Sequence, residues 1–387
     1  MMNNNIHSHR ETAVARGSRT FPDPFELRSH QQRILVLQGG GALGAFQAGA
    51  FEAMDSIGFS PNWVAGVSIG AINSALIAGN PPKRRTERVR EFWNRVSQKI
   101  PMLPAGMEMF HPLMHRMSAA SVAAFRIPCF FMPRATAPAF ARCGTLGALS
   151  YYDTEPLRAT LNELVDFDLI NSGDVRLSLG AVNVRTGQSR YFDSTIDTIT
   201  PSHVMASGAL PPAFPPVEID GEYYWDGGIM TNTPLAYVMQ DYRQEALIVQ
   251  VDVFHGLGGM PQTLDQAQER LKDIQYQSKQ SVSYAMIHRV EDIRSLLAEL
   301  IAKLPEDMLK DPTVQKLEEV SHRGRLSLIH LVNHVDTHSS DVKDYEFSAE
   351  SVDMLWHAGH EDVMKIVIAP DSWHITDFGN GVRKFDL

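Results

Sequence analysis

Twice near its start this chain breaks a short apolar run with small residues and then resumes at helical spacing, and that pattern constrains the fold most. Arg33-Ile34-Leu35-Val36-Leu37-Gln38 is stopped by Gly39-Gly40-Gly41, and Ala42 to Met54 then places Leu43, Phe46, Ala50 and Met54 near one helical face. Trp63-Val64-Ala65-Gly66-Val67 repeats the plan, with Ser68 as the turn and Ile69 to Ala78 as a helix ended by Gly79 and Pro81. Further strands are expected at Val175 to Val184, turning through Arg185-Thr186-Gly187 into Ser189 to Phe192, and at Ala246 to Phe254. Strands alternating with helices predict an α/β fold with a mostly parallel sheet covered on both faces.

Outside this core the pattern changes. Residues 1–32 are polar, without helical or strand period, and predict an arm that buries little; they lack the apolar segment of a cleaved signal. Residues 101–150 form an apolar insert with four arginines against one glutamate and six of the 17 methionines, among them Met107, Met109 and Met114. Two readings stand for it, a lid that admits acyl chains and a packed helical hairpin. From Thr263 the chain turns helical, with Thr263 and Gln266 spaced as a capping box, followed by a strand at Leu326 to Val332 and a helix at Ser348 to Met364. The expected division is thus an arm (1–32), a core domain (33–250) and a helix-rich extension packed on it (251–387).

Charge and cysteine content narrow the function classes. With 35 Lys and Arg against 45 Asp and Glu, the net charge of -10 repels polyanions and argues against a nucleic-acid partner. Two cysteines, Cys129 and Cys143, are too few for a disulfide framework or a Cys-rich zinc site, which suits a reducing cytosol. No run approaches the ~18 apolar residues of a membrane span.

Three glycine motifs carry the chemistry. Gly66-Val67-Ser68-Ile69-Gly70 is a G-x-S-x-G pentapeptide between strand and helix, the context of a nucleophile elbow, where larger residues flanking the turn would clash. Its rival reading is a serine that merely caps the helix. Gly39-Gly40-Gly41-Ala42-Leu43-Gly44 also spells G-x-G-x-x-G, but a dinucleotide site needs an acid at the end of the second strand, and that strand runs into Ser68 without one. The same glycines supply amides suited to an oxyanion hole. Asp226-Gly227-Gly228 ends an aromatic strand; alone it reads as a turn.

Together with the small-residue and proline segment Met205 to Pro216, these motifs in this order resemble the patatin-like phospholipases over about residues 34 to 250. The resemblance implies a three-layer α/β/α sandwich with a mostly parallel central sheet and lipid acyl hydrolysis without histidine, metal or cofactor. Carried over by position, Ser68 would be the nucleophile, Asp226 the proton acceptor, and Gly39, Gly40 and Gly41 the oxyanion hole, with Gly44, Gly66, Gly70, Gly227 and Gly228 in support. The activity implied is of the phospholipase A or lysophospholipase type; many members have Arg or Lys where Leu43 stands, and its absence here allows simple carboxylic esters or polyesters as the alternative substrates. The segment from Thr263 resembles an extension attached to patatin domains in some bacterial proteins.

An aspartate of ordinary pKa is a weak base toward serine, and a triad would draw on His255 just past Asp252. His330, His334 and His338, spaced by four, begin on a strand and so share no helical face for a metal. The expected partners are a lipid or ester substrate and a membrane surface met peripherally. A lipid-binding regulator without catalysis is the rival function.

Overall fold

The computed structural model describes residues 31–97, 127, 129–242, 245–256, 258–321, 326–335, 343–368, 374–377 and 382–386. The expected arm up to residue 30 lies outside them, as do residues 101–126 and 128 of the insert, which carry five of its six methionines, and His338. The sheet strands are β1 (Gln32–Leu37), β2 (Trp63–Val67), β3 (Met132–Pro133), β4 (Tyr152–Asp153), β5 (Arg176–Asn183), β6 (Ser189–Asp193), β7 (Val217–Ile219), β8 (Glu222–Asp226), β9 (Ala246–Asp252), β10 (Leu326–Val332), β11 (His374–Asp377) and β12 (Val382–Asp386). The helices are α1 (Gly44–Ser56), α2 (Ile69–Ala78), α3 (Arg85–Val96), α4 (Glu155–Leu164), α5 (Phe167–Ser172), α6 (Pro201–Ser207), α7 (Leu235–Asp241), α8 (Leu264–Ile301), α9 (Pro312–Ser321) and α10 (Ala349–Ile368).

Ten strands join one sheet in the order β11-β12-β10-β9-β1-β2-β5-β8-β7, with β6 also on β5. Every pairing from β12 through β5 is parallel, and the antiparallel strands β11, β6, β8 and β7 are confined to the flanks. Alternation along β1 explains the layering: Leu35 and Leu37 join the core that includes α1 and α2, while Ile34 and Val36 point to the opposite core with Leu235 and Val238 of α7. Both faces of the sheet are therefore buried against helices, giving the α/β/α sandwich expected from the resemblance.

Several sequence boundaries coincide with the elements, β2, α2 and β10 among them. The expected helix from Ala42 begins as a 3-10 turn at Gly41–Leu43, since Gly41 takes φ 55°, and becomes α-helical at Gly44. At the start of α8 the Thr263 hydroxyl accepts from the Gln266 amide at 3.2 Å, while the Gln266 side chain accepts from Gln262 rather than Thr263, at 2.7 Å. The segment after residue 250 does more than pack helices on the core. Strands β10, β12 and β11 extend the central sheet itself, and α10 seats on α1. There Cβ atoms on Gly49 and Gly359 would lie 1.9 Å and 2.0 Å from the facing carbonyl oxygens of Trp356 and Phe46, so the two backbones touch.

Candidate active site

Sheet register alone brings Ser68 to Asp226. On one edge of β5, Val67 of β2 pairs with Gly180 and Asp226 of β8 pairs with Ala181, while β6 fills the other edge. Because β2 runs parallel to β5 and β8 antiparallel, their C-terminal ends meet head to head, and both chains leave the sheet at one point. The junction is tight: a Cβ on Gly227 would sit 2.5 Å from the Gly180 carbonyl oxygen.

Ser68 sits at this junction with φ 57° and ψ -124°, a conformation costing an L-residue on the order of 1–3 kcal/mol. Its N–H donates to both the carbonyl and the hydroxyl oxygen of Ser207, each at 3.1 Å, and the Ser207 hydroxyl donates to the Gly180 carbonyl at 2.6 Å. The elbow closes because Cβ atoms are absent. One on Gly66 would lie 2.3 Å from the Gly70 carbonyl oxygen, and one on Gly70 would lie 2.4 Å from that of Leu37 at the end of β1. Ser68 precedes α2, yet its side chain makes no capping hydrogen bond; the hydroxyl instead lies beside Asp226 in one cavity, near enough to favour the ionised carboxylate. The helix-cap reading of this serine is thereby set aside.

Asp226 is 2% exposed. Its N–H donates to the Ala209 carbonyl at 3.0 Å, and its Oδ1 accepts from the Gly228 N–H at 2.7 Å. Burial raises its pKa from the ordinary 3.8 to about 6, against the opposing pull of the neighbouring Ser68 hydroxyl and the Gly228 N–H. That leaves a carboxyl group that ionises near neutral pH beside a serine hydroxyl.

The glycine loop needs one correction. The Gly39 N–H donates to the Asn232 carbonyl at 3.0 Å, and the Asn232 side-chain amide returns a bond to the Gly39 carbonyl at 2.8 Å. Gly39 is thus committed to holding the loop, because an amide already bonded in the interior has no hydrogen left for a substrate. The N–H groups of Gly40 and Gly41 have no acceptor among the described residues. Gly44 opens α1, where a Cβ would lie 2.6 Å from Ile69, and Gly228 holds Asp226. Sequence reasoning missed Asn232, which is buried and joins the glycine loop to the Asp226 turn. It also missed Gln38, whose Oε1 accepts from the Val253 and Phe254 amides at 2.7 Å and 3.0 Å behind the loop. Both could be flagged only as polar residues embedded in apolar surroundings.

Gly39 to Gly41, Ser68 and Asp226 line one cavity of about 70 Å³, with Phe130, Phe131, Leu210 and Phe214 forming apolar wall. Tyr276, Asp344, Tyr345 and Phe347 close it from the C-terminal segment. No histidine, lysine or arginine lines it among the described residues. His255 opens onto a different, polar cavity, and Asp252 binds the buried His330 and accepts from Gln250 at 2.6 Å. The alternative triad therefore does not assemble. Leu43 is 1% exposed in the core. Among the described residues no group of three or more His, Cys, Asp or Glu is placed to hold a metal ion, and no helix is long and apolar enough to cross a membrane.

The sequence model of a family described as patatin-like phospholipase matches residues 35–239, and one described as patatin phospholipase matches residues 274–377. A curated relative, the cGAMP-activated phospholipase of Vibrio cholerae, is 26% identical over 239 residues, covering 55% of this chain and 58% of that protein. The aligned part is thus less than two thirds of that relative's length. Among solved structures, VipD from Legionella pneumophila is 17% identical, with 88% of this chain and 67% of that one covered at a TM-score of 0.37. The human GIVD cytosolic phospholipase A2 is 10% identical, with 88% and 59% covered at a TM-score of 0.39. The first family match takes in more than half of the chain, with the glycine loop, Ser68 and Asp226 inside it, and the chain belongs to the patatin-like phospholipase family.

Proposed function

We propose that the protein hydrolyses acyl esters of lipids, of the phospholipase A or lysophospholipase type, through a Ser68–Asp226 dyad and an acyl-enzyme. The observation that carries this reading is the Ser68 hydroxyl lined up in one cavity with a buried carboxylate of raised pKa, beside two amides with no acceptor among the described residues. Asp226 takes the Ser68 proton as Oγ attacks the ester carbonyl, and the Gly40 and Gly41 N–H groups meet the developing oxyanion. As the intermediate collapses, Asp226 returns the proton to the departing alcohol oxygen. Water then attacks the acyl-serine with Asp226 again as base, releasing the acid and restoring the hydroxyl. The α2 N-terminus behind Ser68 adds favourable potential for the developing negative charge.

Membership of the family and a relative named as a phospholipase support a lipid substrate. The cavity lining favours a second substrate reading, carboxylic esters or polyesters without phosphate, because no Lys or Arg among the described lining residues stands ready for a phosphate and Leu43 is turned into the core. The apolar wall of Phe130, Phe131, Leu210 and Phe214 suits an acyl chain. Ser68→Ala tests the hydrolase reading against the regulator reading. The variant should fold and lose at least a thousandfold in kcat on a short soluble ester, and retention of a tenth of the activity rejects Ser68 as nucleophile.

A further inference from the structure

The C-terminal segment brings two phenols to the Ser68 cavity that the dyad does not use. Tyr276, on α8, stacks on Phe254 with ring centroids 4.7 Å apart, and Tyr345 follows Asp344 in a short 3-10 turn. That turn is pinned twice. The Asp344 carboxylate accepts from Lys272 of α8 at 2.8 Å, and its carbonyl oxygen would lie 2.1 Å from a Cβ on Gly41. The turn that carries Tyr345 thus packs on the glycine loop, and Lys272 ties it to the helix that carries Tyr276.

The other polar side chains of the cavity are already committed. Asn232 donates to Gly39, Asp344 is paired with Lys272, and Asp226 accepts from Gly228 beside Ser68. Neither tyrosine hydroxyl has a hydrogen-bond partner among the described residues. Both phenols are held protonated, since burial first and the neighbouring carboxylates second push Tyr276 up to about 12 and Tyr345 upward as well. They are therefore hydrogen donors at any working pH, facing a wall that is otherwise largely hydrocarbon.

An ester divides into three parts with different needs. The acyl chain needs apolar wall, which Phe130, Phe131 and Phe214 supply, and the carbonyl oxygen needs the Gly40 and Gly41 amides. What remains in need of donors is the alcohol half. We propose that Tyr276 and Tyr345 bind that half, donating hydrogen bonds to the oxygens of an uncharged, hydroxylated alcohol such as a glyceryl group. The assignment rests on the hydrolase reading and names its substrate class as an acylglycerol-like ester.

The test compares glyceryl monobutyrate with ethyl butyrate, which share the acyl group and differ in alcohol oxygens, using the full chain and its Tyr276→Phe, Tyr345→Phe and double variants. Each single change should lower kcat/KM for glyceryl monobutyrate about tenfold, as for loss of one hydrogen bond to substrate. Ethyl butyrate should stay within about twofold and the thermal midpoint should hold, because phenylalanine preserves the ring packing. Equal losses on the two esters, or undiminished turnover of the glyceryl ester, overturn the assignment and leave the dyad standing. A wild-type protein that turns over neither ester overturns the hydrolase reading and this one with it.

Discussion

Replacing Asp226 by Asn keeps the side-chain shape and removes its charge, and the structure dictates how stability should respond. In the folded protein burial raises the Asp226 pKa from 3.8 to about 6. Between those values the native state keeps a proton that the unfolded chain has released, so stability falls as pH rises through this window. The full penalty is present above about pH 6 and absent below 3.8, and the rise corresponds to about 3 kcal/mol. Asparagine does not titrate, and its carbonyl oxygen still accepts from Gly228. Urea unfolding of both proteins between pH 4 and pH 8 isolates the effect, because all other titrating groups are common to the pair. The asparagine variant should gain about 3 kcal/mol on the wild type across that range while losing its catalysis. Stability curves that stay parallel from pH 4 to pH 8 would refute the assignment of a strained, buried carboxylate.

In the proposed dyad the same ionisation governs rate. The wild-type kcat/KM should rise with pH and level off above about pH 6, because only the ionised carboxylate accepts the Ser68 proton; a limb near pH 4, or one that follows histidine in the Asp226→Asn protein, contradicts it. His255→Ala should keep more than half of the activity, since this ring opens onto another cavity, whereas Asp226→Asn should be nearly as inactive as Ser68→Ala; steady-state hydrolysis of a short ester decides between them.

How much of this was legible in the sequence depended on the range of the interaction. Apolar runs stopped by glycine or serine marked β1, β2 and the helices after them, because strand ends and helix starts are set by neighbouring residues. The elbow glycines were legible too, and their reason is now concrete: Gly66 and Gly70 face carbonyl oxygens at distances no Cβ tolerates. The head-to-head meeting of β2 and β8 was not, since it depends on both strands registering against β5, more than a hundred residues from one and about forty from the other. The same long-range pairing hid the role of Asn232 and the commitment of the Gly39 amide. Strands β11 and β12 escaped notice because His374–Asp377 and Val382–Asp386 are short and polar and take their place from pairing with β10 and each other.

The central claim is that Ser68 is a nucleophile armed by its buried neighbour, and covalent labelling reads that chemistry without assuming a substrate. A fluorophosphonate probe, which loses fluoride as it bonds to an activated serine Oγ, should modify the folded protein once, on the peptide that contains Ser68. Labelling should disappear in Ser68→Ala and should quicken in the wild type as pH rises through about 6. A folded protein that takes no label, or takes it equally after Ser68→Ala, would contradict the account.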